Sequence, residues 1–435
     1  MRAHSYAATA PPPRYALLIA ASGGAAAIVA VLPSLTLQVA IVCGAVIVAA
    51  SLMMARAGSA LNPAWLIVAW LYLLGPIGSL LSHAGIGLST AALVLVAPSP
   101  FILAGLVILP RLPARLLLLM PLLLLWLLAG LSIGWSADPQ YGVEKLTLWA
   151  LTCLLPAAFI LVLAPESSSV SWRLIGGTAF VYALALLIFG AATALNPGRA
   201  TVFDANPIWA ARAAFVGALV VLFGQFPSVV KLGAVPVIIL AGITTVSLGP
   251  AIGLVAGVWA GVAETLRCGD RTDRRVALGW ATLALLTALA VVLLLSGALD
   301  PTLARLANDP NTSSRATYLG AAWQLFLNAP ILGVGFGGFA VTGLDLYPHN
   351  LVAEVASELG SLGILILLVW VGMALRGAAR SPILVALVIA TGTFTLFSGD
   401  LAGNGEFWMF STLAVAMLPI GAMGVQLGVA EVGDG

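Results

Sequence analysis

From position 115 the chain reads Arg115-Leu-Leu-Leu-Leu-Met-Pro-Leu-Leu-Leu-Leu-Trp-Leu-Leu-Ala-Gly-Leu-Ser-Ile133, with no charge after the arginine. A helix of that length spans about 27 Å, the thickness of a bilayer's hydrocarbon core. In lipid, only a helix or a closed barrel satisfies its own backbone. A continuous apolar run lacks the alternation of a barrel strand, so it predicts a transmembrane helix. Comparable windows lie near 15–33, 35–54, 63–81, 90–109, 146–164, 174–194, 207–225, 232–247, 250–265, 276–297, 351–375, 382–398 and 406–425. The pair over 232–265 is divided only by Gly249-Pro250.

The whole composition agrees. The 435 residues hold 18 Lys+Arg and 16 Asp+Glu, 8% charged against 61% apolar, with a mean hydropathy of +1.11. A soluble chain this long would carry roughly 110 charges. A soluble globular enzyme, a disordered chain and a nucleic-acid-binding domain are therefore excluded. The expected fold is an all-α polytopic membrane protein, one transmembrane domain over 1–435 with about 12–14 transmembrane helices. With the N-terminus inside, the alternation puts thirteen cationic residues on the cytoplasmic side and five outside: Lys145, Arg199, Arg212, Arg305 and Arg315. That asymmetry obeys the positive-inside rule and puts both termini in the cytoplasm. The first run is read as an uncleaved helix rather than a signal peptide. Cys43 and Cys153 fall in apolar spans and Cys268 in a cytoplasmic loop, so neither a disulfide framework nor a cysteine metal site is expected.

Residues 298–350 form the one long excursion, extracytoplasmic by charge alternation. Long ordered loops tend to carry function. Within this one, Ser314 to Asn328 has the spacing of an amphipathic interfacial helix that begins at Arg315 and stops before Pro330. The following Gly333-Val-Gly-Phe-Gly-Gly338 is a literal G-x-G-x-x-G, but no βαβ unit surrounds it. It reads as a turn that lets backbone approach a ligand or another helix. Tyr347-Pro-His-Asn350 then opens the span at 351–375, with Glu354 and Glu358 on one face of that helix. Glu358 lies about 12 Å along the helix from Asn350. Carboxylates at such depth face a cavity or a partner.

His349-Asn350, nine residues, then Gly360-x-x-Gly363 resembles the O-antigen ligase and O-antigen polymerase superfamily. Its members are membrane glycosyltransferases that use undecaprenyl-diphosphate-linked sugars. Three further stretches are similar to that family: Leu131-Ser-Ile-Gly-Trp-Ser-Ala-Asp-Pro139 with Lys145 beyond, Asn206-Pro-Ile-Trp-Ala-Ala-Arg212, and Ser314-Arg315 with Trp323, Pro330 and Gly333-x-Gly335. The resemblance spans about 130 to 425. One departure stands out. The family often has Ser-Arg-Gly at the outer end of a middle span, where this chain reads Ser247-Leu248-Gly249. Either Arg212 supplies that charge from a neighbouring helix, or the diphosphate is bound differently.

The resemblance implies transfer of a glycan from undecaprenyl diphosphate to an acceptor hydroxyl, at the outer face of a bacterial inner membrane. The acceptor is a glycan or the lipid A core, and ligase is preferred to polymerase. Arginine suits the leaving diphosphate, because its planar fork pairs phosphate oxygens and stays charged. Arg212 and Arg315 are the candidates, each also readable as an interfacial arginine meeting headgroups. Histidine accepts a proton near neutral pH, which gives His349 the role of base. Asn350 would orient the sugar or the imidazole, and Glu358 would orient His349 or hold the acceptor. Glu354, Asp400 and Glu406 are candidates for the acceptor cavity, with a polar turn as the plain reading of the last two. No cofactor and no metal are expected, and residues 298–350 would roof the cavity. Two rivals remain: a proton-coupled secondary transporter using Glu354 and Glu358, and a lipid-binding scaffold whose site has degenerated at Leu248.

Overall fold

A computed structural model describes residues 117–163, 169–189, 191–192, 200–201, 206–268, 276–282, 284 and 310–418. The expected spans near 15–33, 35–54, 63–81 and 90–109 lie outside the described residues, as do most of 276–297 and residues 298–309. What is described is helical, and the chain is an all-α membrane protein. Its helices are α1 (Met120–Ser132), α2 (Pro139–Trp149), α3 (Leu155–Leu163), α4 (Ser169–Phe189), α5 (Pro207–Phe223), α6 (Ser228–Thr244) and α7 (Leu248–Arg267). After these come α8 (Pro310–Asn328), α9 (Leu351–Ala378), α10 (Pro382–Phe394) and α11 (Gly405–Val415). Leu117–Trp135, Leu248–Arg267 and Leu351–Ala378 are each long and apolar enough to cross a bilayer. An unforeseen detail is a two-residue antiparallel pairing of Ala191–Ala192 with Ala200–Thr201.

The doubtful pair at 232–265 is two helices, α6 and α7, joined by only three residues. The span expected at 146–164 begins earlier, at Pro139. Gln140, Glu144 and Lys145 lower the hydropathy there, but the helix-start chemistry is strong. The Asp138 carboxylate accepts from the Tyr141 N–H at 3.0 Å, and Pro139 needs no donor partner in the first turn. Lys145 is therefore part of a helix rather than of a loop. A π-helical turn, Ala150–Leu154, joins α2 to α3.

Helix α7 carries glycine at every fourth position: Gly249, Gly253, Gly257 and Gly261. A Cβ at these positions would meet Phe397, Phe394, the Ala386 carbonyl and Phe223 respectively. This small-residue stripe seats α7 closely against α10 and α5, the usual way helices associate where lipid removes the hydrophobic drive between them. Polar contacts gather helix ends at two levels. At one level Glu264, near the end of α7, accepts from the Arg380 N–H just past α9 at 2.6 Å. At the other level lie the starts of α2, α5, α9 and α11 and the end of α10.

Helix α9 is broken within its length. Gly360 has φ 67° and ψ −163°, a conformation essentially restricted to glycine. The break frees the carbonyls of Ser357 and Glu358, which accept from the N–H groups of Val334 and Gly335 at 2.9 and 3.0 Å. On its far side the Ser361 N–H donates to the Pro330 carbonyl at 2.8 Å. The glycine loop 333–338 thus completes a helix whose own ladder is interrupted, as irregular backbone at membrane depth requires. The reading of that loop as a close approach to another helix holds: Gly333, Gly335 and Gly337 all have positive φ, and each backs onto neighbouring backbone. Gly360→Ala is expected to cost about 1–3 kcal/mol in backbone strain alone. Its new Cβ would also run into the Ile331 carbonyl. A fall in thermal midpoint of the detergent-solubilised protein, with less protein in the membrane, would verify it; a native melt would refute it.

Candidate active site

His349 stands immediately before α9 with φ 55°, the left-handed region that only a few per cent of non-glycine residues occupy. Such a conformation persists only where surrounding bonds enforce it. Here Asn350 does so. Its side-chain oxygen caps α9 by accepting from the Ala353 N–H at 3.0 Å, while its amide nitrogen donates to the Leu396 carbonyl at 2.9 Å. The Leu351 N–H donates to the Thr395 carbonyl at 2.9 Å. Both polar atoms of Asn350 are thus engaged with backbone, which places His349 just ahead of the helix, and one N–H of the amide remains for a further partner.

The imidazole is held on three sides. Its Nε2 lies 3.0 Å from the Asp345 carboxylate, with about a quarter of the side chain exposed. The Tyr318 ring, from α8, stacks on it at 5.8 Å and 26°, and the Tyr347 ring lies at 4.5 Å. Burial, with Asp400 and Asp345 nearby, pushes the Tyr347 phenol up to about 12, so it stays a neutral donor. Arg315 lies on α8 one turn before Tyr318 and is half-buried, with no ion pair among the described residues. The expected helix at 314–328 therefore exists, begins at Pro310, and packs on α9.

Arg212 is buried, 1% exposed, so it is no snorkelling arginine. Its Nη2 donates to the Phe394 and Ser398 carbonyls at 3.2 and 2.9 Å, to the Ser398 hydroxyl at 2.7 Å and to Asn404 Oδ1 at 3.1 Å. Its Nη1 reaches Glu406 only at 3.5 Å, and Nε has no hydrogen-bond partner among the described residues. The two N–H groups of Nη2 are thus shared among acceptors of the turn after α10, while Nη1 is only loosely held by Glu406 and Nε is free among the described residues. That turn also backs Gly249, whose added Cβ would meet Phe397, so Arg212 and the start of α7 both pack on it. Leu248 itself is exposed. Asp400 accepts from the Gly403 N–H at 2.6 Å and its carbonyl takes the Asn404 amide at 2.7 Å, the polar-turn arrangement.

Beneath this layer lies a feature the sequence did not reveal. The Lys145 ammonium is buried, 2.5 Å from Glu354 and 2.7 Å from Glu358. Glu358 also accepts from the Gly337 and Phe339 N–H groups at 3.0 and 3.4 Å, and Glu354 from the Leu401 N–H at 3.0 Å. Lys145 sits 4.6 Å from the centre of the Phe336 ring. One cation therefore ties α2, α9, the glycine loop and the 399–404 turn together. Glu358 makes no hydrogen bond to His349, and both carboxylates are fully buried. Lys145 stood in the sequence among the five outside cations, but nothing local marked its partners.

Residues 233–368 match the family model described as O-Antigen ligase. The matched stretch runs from α6 past Gly363 and takes in Leu248, Arg315, the glycine loop, His349, Asn350, Glu354 and Glu358. It excludes Lys145, Arg212, Asp400 and Glu406. No curated protein matches the chain.

Proposed function

The chain belongs, through residues 233–368, to the O-antigen ligase and polymerase superfamily of membrane glycosyltransferases, and from that premise we propose that it moves a glycan from undecaprenyl diphosphate to an acceptor hydroxyl. The observation that carries the reading is one shared turn. Asn350, which sets His349, and Arg212 both bond to residues 394–398. A base and a cation are thereby held at one level of the helix bundle. Attack by the acceptor oxygen forms a new bond to the anomeric carbon, and the bond from that carbon to the diphosphate oxygen breaks with its electron pair. The proton passes to His349 and then to solvent or the departing diphosphate. Arg315 and the unspent donors of Arg212 stabilise the charge that grows there. The reaction needs no metal, takes place at the outer face of the inner membrane with both termini in the cytoplasm, and lies under residues 298–350. The acceptor is the lipid A core, making the protein a ligase; a growing glycan would make it a polymerase. Asp400 and Glu406 stand beside the acceptor path.

The transporter alternative loses its motive, because Glu354 and Glu358 are occupied by Lys145 and backbone N–H groups. The test is transfer in detergent from purified undecaprenyl-diphosphate glycan to a panel of acceptors, comparing native protein with Arg315→Ala. Native transfer that is unchanged by chelator and falls about 10- to 100-fold in Arg315→Ala is expected. The productive acceptor separates ligase from polymerase. No transfer to any acceptor by folded, donor-binding protein would overturn the reading in favour of a scaffold.

A further inference from the structure

Resting on that reading, we infer that Asp345 is the positioning residue of His349, fixing the tautomer in which Nε2 carries the proton and Nδ1 is the base. The carboxylate lies 3.0 Å from Nε2. An ionised carboxylate only accepts, so the ring nitrogen facing it must be the one that donates. The lone pair is then confined to Nδ1. A histidine base works only in the correct tautomer, and a carboxylate on its far nitrogen both selects that tautomer and stabilises the imidazolium formed when it takes a proton.

Three independent constraints make this pair a built arrangement rather than a surface contact. His349 and Asp345 are four residues apart, but no helix joins them; the chain between runs through Tyr347 and Pro348. With a left-handed backbone at His349, its side chain meets Asp345 and Tyr347 of the loop that precedes it. Tyr318 and Tyr347 then restrict rotation of the ring. Tyr318 is itself backed by Phe339 at 6.5 Å, and the Phe339 N–H is held by Glu358. The groups that face the imidazole are Asp345 and Tyr347 from its own loop and Tyr318 from α8, with Arg315 one turn before it. Asp400, from the turn after α10, acts on Tyr347. Asp345 is the only carboxylate in hydrogen-bond contact with the ring among the described residues.

The step balances simply. The acceptor O–H bond breaks, its proton binds Nδ1, and the oxygen's electron pair forms the bond to the anomeric carbon. The pair from the cleaved bond leaves on the diphosphate.

Two measurements test the inference. The chain has three histidines, His4, His83 and His349. A ¹⁵N spectrum of labelled protein, with His349→Ala used to assign the resonance, reports the tautomer directly. A protonated Nε2 and bare Nδ1 in native protein, turning to a mixture in Asp345→Asn, is expected. A protonated Nδ1 in native protein would overturn the inference whatever the activity. In the transfer assay, Asp345→Asn is expected to lower kcat about 100-fold with KM for the donor unchanged, and Asp345→Glu to recover at least a tenth of the loss. Native kcat in Asp345→Asn would overturn the positioning role. A native protein that shows the expected tautomer but transfers nothing would retain the pair and refute the base assignment together with the proposed reaction.

Discussion

Alanine at His349 is expected to lower kcat for glycan transfer by 10²- to 10⁴-fold, the usual contribution of a positioned general base. The donor should still bind, since the cations Arg212 and Arg315 are untouched. The protein should also remain folded. His349 is partly exposed, and the cap of α9 is made by Asn350, not by the imidazole. Alanine meets the same left-handed backbone that histidine does, so the strain at this position is unchanged and stability should change little. Single-turnover transfer with saturating lipid-linked donor measures the loss. Native transfer in the variant would remove His349 from the chemistry.

Lys145→Met should be the most destabilising single change. Deleting the cation leaves two carboxylates buried within one cluster without their partner. Breaking a buried ion pair from one side typically costs about 3–5 kcal/mol. Thermal unfolding in detergent should show a much lower midpoint, and little protein should reach the membrane. Adding Glu354→Gln and Glu358→Gln to Lys145→Met should restore most of the lost stability, because the uncompensated charge is gone. If the triple variant melts no higher than Lys145→Met, the loss comes from packing rather than from charge, and the electrostatic account fails.

These two residues mark the limits of what could be read beforehand. His349 stood out as a candidate because its signal is local: a fixed spacing to Asn350, Gly360 and Gly363. The structure gives that spacing a mechanical meaning. Asn350 starts α9 and Gly360 interrupts it, so the distance between the two glycines and the cap sets where the 333–338 loop must dock. The spans themselves were legible because twenty apolar residues in a row have few uses. Lys145 was not legible, because its partner Glu358 is 213 residues away and no short-range pattern records the pairing. Hydropathy also misled there, since polar residues in the first turns of α2 made a helix look like a loop. Arg212 fell between the two cases. Its place near the start of a span could be read, but its burial depends on a turn after α10, almost two hundred residues later. Asp345 was visible but carried no signal, because a four-residue spacing outside a helix predicts no contact. Glu358 was read as orienting His349 or holding the acceptor, and its bonds to Lys145 and to the Gly337 and Phe339 N–H groups had no local signal in the sequence.

The turn at 394–398 has a consequence for precision. The guanidinium and the asparagine that sets the imidazole are fastened to the same few peptide units. Under the proposed reaction, a shift of α10 would carry both fastenings with it and disturb the gap between them less than two separate anchors would. The proposed transfer requires its base and its cation to stay closely aligned, and one shared turn meets that requirement better than two independent ones. The alignment is referenced to one shared baseplate rather than to the membrane around it.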